Sequence, residues 1–220
     1  MKKNKKMRAF YFYISILFLL MGCSQINTVK KMESDKTIST IFDKSEIKGL
    51  AVIVDFFNEQ ICAAQKNEKT TTITQCYQRF FERMKECEVT GDFDVKIPYR
   101  EQQQMYSQLS ENTFNQVWRI EQSWYRSSRD ESDTIEIINI VYIGKYLKFL
   151  KEFGKENSVV DLYSDHFEQM GGISPSCVAM VLNEYKQFDV TDIRIQFFIA
   201  MHYLTLNDEN YRSSTLPEFN

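Results

Sequence analysis

Apolar side chains recur every three or four residues along most of this chain, and that period constrains the fold more than any other feature. The segment 73–87 is the clearest case, with apolar positions at Ile73, Cys76, Tyr77, Phe80, Met84 and Cys87. A half-buried strand would instead alternate with a period of two. The period therefore predicts an all-α fold, in which each helix presents one apolar face to a shared core.

Two segments are apolar on several faces rather than on one. The first is 134–153, and the second is the last predicted helix, with Ile193, Ile195, Phe197, Phe198, Ile199, Met201 and Leu204. Helices that are apolar all round lie inside a bundle. We therefore expect a single bundle of about seven helices, with these two at its centre.

A strand interpretation stays open for part of this region. The run Ile135–Ile143 is rich in β-branched residues, which favour strands, and the segment 114–125 also fits either a helical face or a strand. Asp133 with Glu136 resembles a capping box, which favours a helix from residue 134 onward.

The N-terminus has the organisation of an export signal. Five basic residues lie within residues 1–8, and the 13-residue stretch Ala9–Met21 that follows is almost wholly apolar. A membrane-spanning helix needs roughly 20 apolar residues. A basic region, a short apolar region and a small residue before the cleavage point are typical of a secretory signal peptide.

The end of this signal resembles the lipobox of bacterial lipoproteins. Leu20, Gly22 and Cys23 match the Leu-x-Gly-Cys pattern, and Met21 is bulkier than the usual residue at its place. The resemblance covers the first 23 residues only. It implies cleavage before Cys23 and attachment of a diacylglyceryl group to its thiol. Ser24 follows the cysteine, and a serine at this position resembles the pattern that sorts bacterial lipoproteins to the outer membrane. We therefore expect a lipid anchor in the cell envelope, at the outer membrane.

The rest of the chain divides into three parts. Residues 1–22 are the predicted signal peptide, and residues 23–44, which are mostly polar, are predicted to be a tether. A single helical domain is predicted over residues 45–206, because no Pro-, Gly- or Ser-rich linker interrupts it. Residues 207–220 are predicted to be a C-terminal tail.

The charge balance excludes some partners. The chain has 27 basic and 30 acidic residues, and five of the basic ones lie in residues 1–22, which carry no acid. Beyond the signal, the chain has 22 basic and 30 acidic residues, which gives a net charge of −8. Nucleic-acid binding needs clustered Lys and Arg, so we expect no nucleic-acid partner, and membrane attachment through the lipid alone.

Four cysteines follow Cys23 in the sequence, and an exported protein meets an oxidising compartment. Cys62 and Cys76 lie at similar distances from the polar connector 66–72, so an antiparallel helical pair would bring them level. We predict a Cys62–Cys76 disulfide and a second disulfide between Cys87 and Cys177. The alternative is four buried thiols in the core.

No combination of residues predicts a metal or cofactor site. The only histidines are His166 and His202, and no zinc-binding spacing of Cys and His is present. Cys177 follows a predicted helix N-terminus, where a thiolate is favoured. With His202 as a base, Cys177 would give a hydrolase alternative. Cys177 also continues an apolar stripe, which favours a structural role.

The segment 118–129 has the composition of a binding hot spot. It contains both tryptophans of the chain together with three arginines. Trp, Tyr and Arg dominate the binding energy of protein interfaces. We expect Trp118 in the core, and the predicted partner-binding residues are Trp124, Tyr125, Arg126 and Arg129. In the alternative interpretation, the arginines only pair with nearby acids.

These features favour a binding protein over an enzyme. A lipid-anchored helical domain with an acidic surface and no catalytic motif suits an inhibitor or immunity protein, or an accessory subunit of an envelope complex. The expected partner is another protein.

Overall fold

Ten α-helices and one β-hairpin make up the part of the chain that the computed structural model describes, which is residues 26–63, 72–90, 94–126 and 132–214. The predicted all-α class therefore holds for most of the fold but misses the hairpin. The elements in chain order are α1 (26–34), α2 (Lys36–Ile41), α3 (Lys44–Ala63), α4 (Ile73–Thr90), α5 (Tyr99–Tyr106), α6 (Glu111–Val117), β1 (Trp118–Arg126), β2 (Ser132–Ile140), α7 (Lys145–Gly154), α8 (Ser158–Met170), α9 (Pro175–Glu184) and α10 (Ile193–Ser214).

Helix α10 lies at the centre of the core, as its apolar faces predict. All residues from Ile195 to Thr205 are buried. Aromatic rings from four surrounding helices contact α10. The ring-centroid distances are 6.4 Å for Phe57–Tyr203 from α3, 4.6 Å for Phe80–Tyr203 from α4, 5.6 Å for Tyr146–Phe197 from α7 and 4.8 Å for Tyr163–Phe198 from α8.

The second predicted central helix is wrong over its first half. Residues Ser132–Ile140 form β2, which pairs in antiparallel register with β1, and helix α7 begins only at Lys145. The capping box expected from Asp133 and Glu136 is therefore absent. Ile138 and Ile140 are buried and Ile137 and Asn139 less so, which is the alternation of a strand.

The segment 114–125, for which both a helix and a strand were open, is divided between the two. Ser110 caps α6 by accepting a hydrogen bond from the Thr113 amide, and α6 ends at Val117. The chain then continues directly into β1. The pairing of Trp118 with Ile140 buries large side chains at the base of the hairpin, which stabilises two strands over one helix.

The domain extends beyond both of its predicted limits. Residues 26–44 are largely helical, and Met32 and Ile38 from this segment are fully buried, so they belong to the domain rather than to a tether. At the other end, α10 continues to Ser214, with Asn207 and Asp208 buried. The predicted tail thus begins inside a helix, and only its residues 215–220 lie outside the described part of the chain.

One of the two predicted disulfides is present. Cys62 and Cys76 are bonded, with their Cα atoms 5.1 Å apart, and they join α3 to α4. The predicted Cys87–Cys177 bond is wrong, because both residues keep their thiols. Lys85 in α4 donates a hydrogen bond to Asn183 near the end of α9, whereas Cys177 lies near the start of α9. This offset of six residues is about 9 Å along a helix.

Candidate binding site

The base of the β1–β2 hairpin is held in the core by Trp118. Its side chain is fully buried, and the indole Nε1 donates a hydrogen bond to Thr205 Oγ1 in α10 at 2.8 Å. The indole ring also contacts Tyr106 and Phe114, with centroid distances of 5.1 and 5.8 Å. Trp118 therefore has the core position that we expected for it.

The second strand is fixed along α10. Ile138 and Ile140 are buried, and Arg212 Nη1 donates a hydrogen bond to the carbonyl oxygen of Glu136 at 3.4 Å. The Arg212 guanidinium also bonds the buried carboxylate of Asp208. Burial raises the pKa of the Asp208 carboxyl, although the Arg212 guanidinium opposes that shift. The hairpin is thus fixed to α10 from Trp118 as far as Glu136.

Three of the four predicted partner-binding residues lie further along β1. The backbone of Trp124, Tyr125 and Arg126 pairs with residues 134, 133 and 132 of β2. Position 124 is six residues past Trp118, which is about 20 Å along a strand.

The partner-binding role of these four residues stays a prediction. The side chains of residues 123–126 lie outside what the structure describes, and so does the whole of Arg129. The neighbouring pair Gln122 and Glu136 is exposed. The hairpin is therefore exposed to solvent where its described side chains end.

Cys177 and His202 do not form an accessible catalytic pair. Both side chains are fully buried. Cys177 Sγ accepts a hydrogen bond from the Ser174 hydroxyl at 3.4 Å, and His202 Nδ1 lies 3.0 Å from the Tyr163 hydroxyl. Burial lowers the pKa of His202 to about 3. A substrate could reach neither residue without local unfolding, so the geometry favours the structural role for both.

Sequence reasoning missed an acidic groove between α3 and α5. It has a volume of ≈ 340 Å³, and its lining includes Asp55, Glu59, Glu101 and the apolar Met105. Burial, together with the nearby Asp55 carboxylate, raises the pKa of Glu59. Gln60 bridges the two helices by donating a hydrogen bond to Glu101 at 2.7 Å. Local sequence patterns could not reveal the groove, since its two helices are 41 positions apart at this bridge.

Neither a metal site nor a membrane span is present within the described ranges. No group of three or more His, Cys, Asp or Glu side chains there could hold a metal ion. None of the described helices is long and apolar enough to cross a bilayer.

Comparisons with protein-family models, with curated proteins and with solved structures found no match to this chain.

Proposed function

We propose that this protein is a lipid-anchored, non-catalytic binding protein of the cell envelope, and that the β1–β2 hairpin carries its partner-binding surface. The observation that supports this most strongly is the hairpin itself. Its base is fixed in the core by Trp118, and the strand continues about 20 Å further to a segment of Trp, Tyr and Arg. A rigid support lowers the entropy lost when such residues bind a partner.

The partner in this proposal is a protein. The best-supported roles are an inhibitor or immunity protein and an accessory subunit of an envelope complex, and both need a stable surface without a catalytic centre. The net charge of −8 beyond the signal opposes a nucleic-acid partner. The hydrolase alternative has less support, because Cys177 and His202 are fully buried.

The anchor in this proposal is a lipid on Cys23. Its support is the succession of basic, apolar and Leu-x-Gly-Cys segments, and attachment to the outer membrane is proposed from Ser24. Acyl chains stabilise membrane attachment by about 0.8 kcal/mol per buried methylene. We expect wild-type protein in the detergent phase after phase partitioning and Cys23→Ala protein outside it. Equal partitioning of the two would refute the anchor.

The binding surface can be tested with three variants of one strand. Trp124→Ala and Arg126→Ala remove predicted hot-spot side chains, and Gln122→Ala is a matched control at an exposed position of the same strand. Truncating a hot-spot residue costs about 2 kcal/mol or more, which is roughly a thirtyfold loss of affinity. An exposed side chain changes the free energy of unfolding by less than about 0.5 kcal/mol.

The measurement has two steps. The domain first captures proteins from its own cells and from neighbouring strains, and mass spectrometry identifies those that wild type and Gln122→Ala retain. The affinity of each captured protein is then measured with all three variants, and unchanged melting confirms their folding. If Trp124→Ala and Arg126→Ala bind like wild type, the interface lies elsewhere. If Cys177→Ser abolishes function while the melting temperature is unchanged, the hydrolase alternative replaces this proposal.

A further inference from the structure

The chain is fixed to the domain almost from the start of α1. The Thr28 hydroxyl donates a hydrogen bond to Asp55 Oδ1 in α3 at 2.6 Å, and both Thr28 and Met32 are buried. These contacts hold the first turns of α1 against α3. The position of Ile26 relative to the domain is therefore set by packing.

Very little chain separates this fixed point from the proposed lipid. Cys23 is three residues before Ile26, and three consecutive Cα–Cα steps span at most about 11 Å. A flexible tether covering the predicted residues 23–44 would instead have given a mean separation of roughly 25 Å. The folded domain can therefore move away from an anchored Cys23 by only a fraction of its own diameter.

The exposed surface at this end of α1 is suited to a bilayer interface. Ile26 is 58% exposed, and Lys30, one helical turn further along the same face, is also exposed. Lysine can place its ammonium among lipid headgroups while its methylene stem lies along apolar surface. Asp55 and Glu59 line the groove beside α1, so overall charge does not attract this side of the domain to anionic lipids.

We propose that the exposed face of α1 around Ile26 and Lys30 contacts the lipid surface to which the protein is anchored. This inference rests on the proposed lipidation of Cys23. The acyl chains supply the membrane affinity, and the short connection to α1 sets the orientation. A compact domain of this size has a diameter of roughly 40 Å. A partner that binds this domain must therefore have its binding site within about one domain diameter, roughly 40 Å, of the bilayer.

The experiment measures how close individual side chains are to lipid. A Cys87→Ser background leaves only buried Cys177 as a competing thiol, and an NBD fluorophore is attached at Ile26→Cys or at the control Ile143→Cys. Ile143 is 77% exposed. Ile143 is two residues before Lys145, whose ammonium bonds Glu46 in α3. Glu46 lies about 13 Å along α3 from Asp55, the residue that Thr28 of α1 contacts, so the control position is away from α1. The full-length lipidated proteins are reconstituted into phosphatidylethanolamine–phosphatidylglycerol vesicles that contain a nitroxide-headgroup lipid.

We expect strong nitroxide quenching at position 26 and little at position 143. A Gly/Ser spacer of about 20 residues inserted after Ser24 adds a mean separation of roughly 25 Å. It should reduce the quenching at position 26 to the level at position 143, while detergent-phase partitioning stays unchanged. Cys23→Ala protein that is made without residues 1–22 carries neither the signal nor the lipid, and it should show no quenching at either position, because the face of α1 does not bind lipid by itself.

The outcomes separate this inference from the anchor proposal. If the labelled proteins enter the detergent phase but position 26 is no more quenched than position 143, the inference is overturned and the anchor stands. Quenching that survives the spacer would equally overturn it, because proximity would then not depend on the short connection. If no protein enters the detergent phase, the anchor and this inference fail together.

Discussion

Replacing Trp118 with alanine removes the largest fully buried side chain that the structure describes, together with its hydrogen bond from β1 to α10. The substitution eliminates the 2.8 Å hydrogen bond from the indole to Thr205 and the ring contacts with Tyr106 and Phe114. Truncation of a buried tryptophan lowers the free energy of unfolding by about 3–5 kcal/mol. That loss is a large part of the 5–15 kcal/mol or so that stabilises a typical domain.

Two milder substitutions separate the hydrogen bond from the packing. Trp118→Phe keeps an aromatic ring but removes the indole N–H, and Thr205 still donates to the Met201 carbonyl at 2.8 Å. Thr205→Val leaves the buried indole N–H without its acceptor, which costs about 1–3 kcal/mol. Because both single variants break the same bond, their effects should not add. We expect a coupling energy of about 1 kcal/mol in the double-mutant cycle.

Urea unfolding followed by circular dichroism measures these free energies. The control is Ile120→Ala, which truncates a half-exposed residue of the same strand and should lower the free energy of unfolding by only about 1 kcal/mol. A decrease in the free energy of unfolding of less than about 1 kcal/mol for Trp118→Ala would refute the reasoning, since truncating a fully buried tryptophan should cost several times that. Additive single variants would show that the Trp118–Thr205 bond contributes nothing.

Three further predictions concern stability. Replacing both cysteines of the Cys62–Cys76 bond with serine should lower the free energy of unfolding by about 3 kcal/mol, because the bond closes a loop with a sequence separation of 14; an unchanged urea midpoint would contradict this. Burial lowers the pKa of His202 to about 3. Below pH 6.5 the unfolded state therefore binds a proton that the folded state does not, and the free energy of unfolding should fall by roughly 1 kcal/mol per pH unit as the pH decreases toward 3. His202→Gln should remove that part of the slope, and an identical pH profile for the variant would argue against it. Lys145→Met should lower the free energy of unfolding by about 1–3 kcal/mol, since it leaves the buried Glu46 carboxylate without the Lys145 ammonium; a variant as stable as wild type would show that the pair contributes little.

The parts of the fold that follow from local period could be predicted from the sequence. The stripe over 73–87 gives α4, and the apolar faces of the last helix place α10 in the core. The Cys62–Cys76 bond was also predictable, because two antiparallel helices joined by a short connector bring equidistant residues level. In each case, neighbouring residues determine the outcome.

The hairpin and the domain limits could not be predicted in the same way. A short run of apolar residues such as Ile135–Ile143 fits a buried helix as well as a strand, and only its pairing with β1 decides between them. Segment 26–44 has too few apolar residues to indicate a core helix. Met32 and Ile38 are buried only because other helices cover them. Contacts distant in sequence decide both outcomes.

The same distant contacts determine how far the proposed binding surface lies from the end of α1. Arg194 near the start of α10 lies 3.5 Å from the carboxylate of Asp35, just after α1, and Arg212 near its end lies 3.5 Å from the carboxylate of Glu136 in the hairpin. The two arginines are 18 residues apart, which is about 27 Å along one helix. A helix of this length, packed on several sides, keeps that separation nearly constant. A rigid helix rather than a flexible tether therefore sets the distance between α1 and the hairpin. If Cys23 carries the lipid, a partner that binds the hairpin must approach the membrane to the distance that this helix sets.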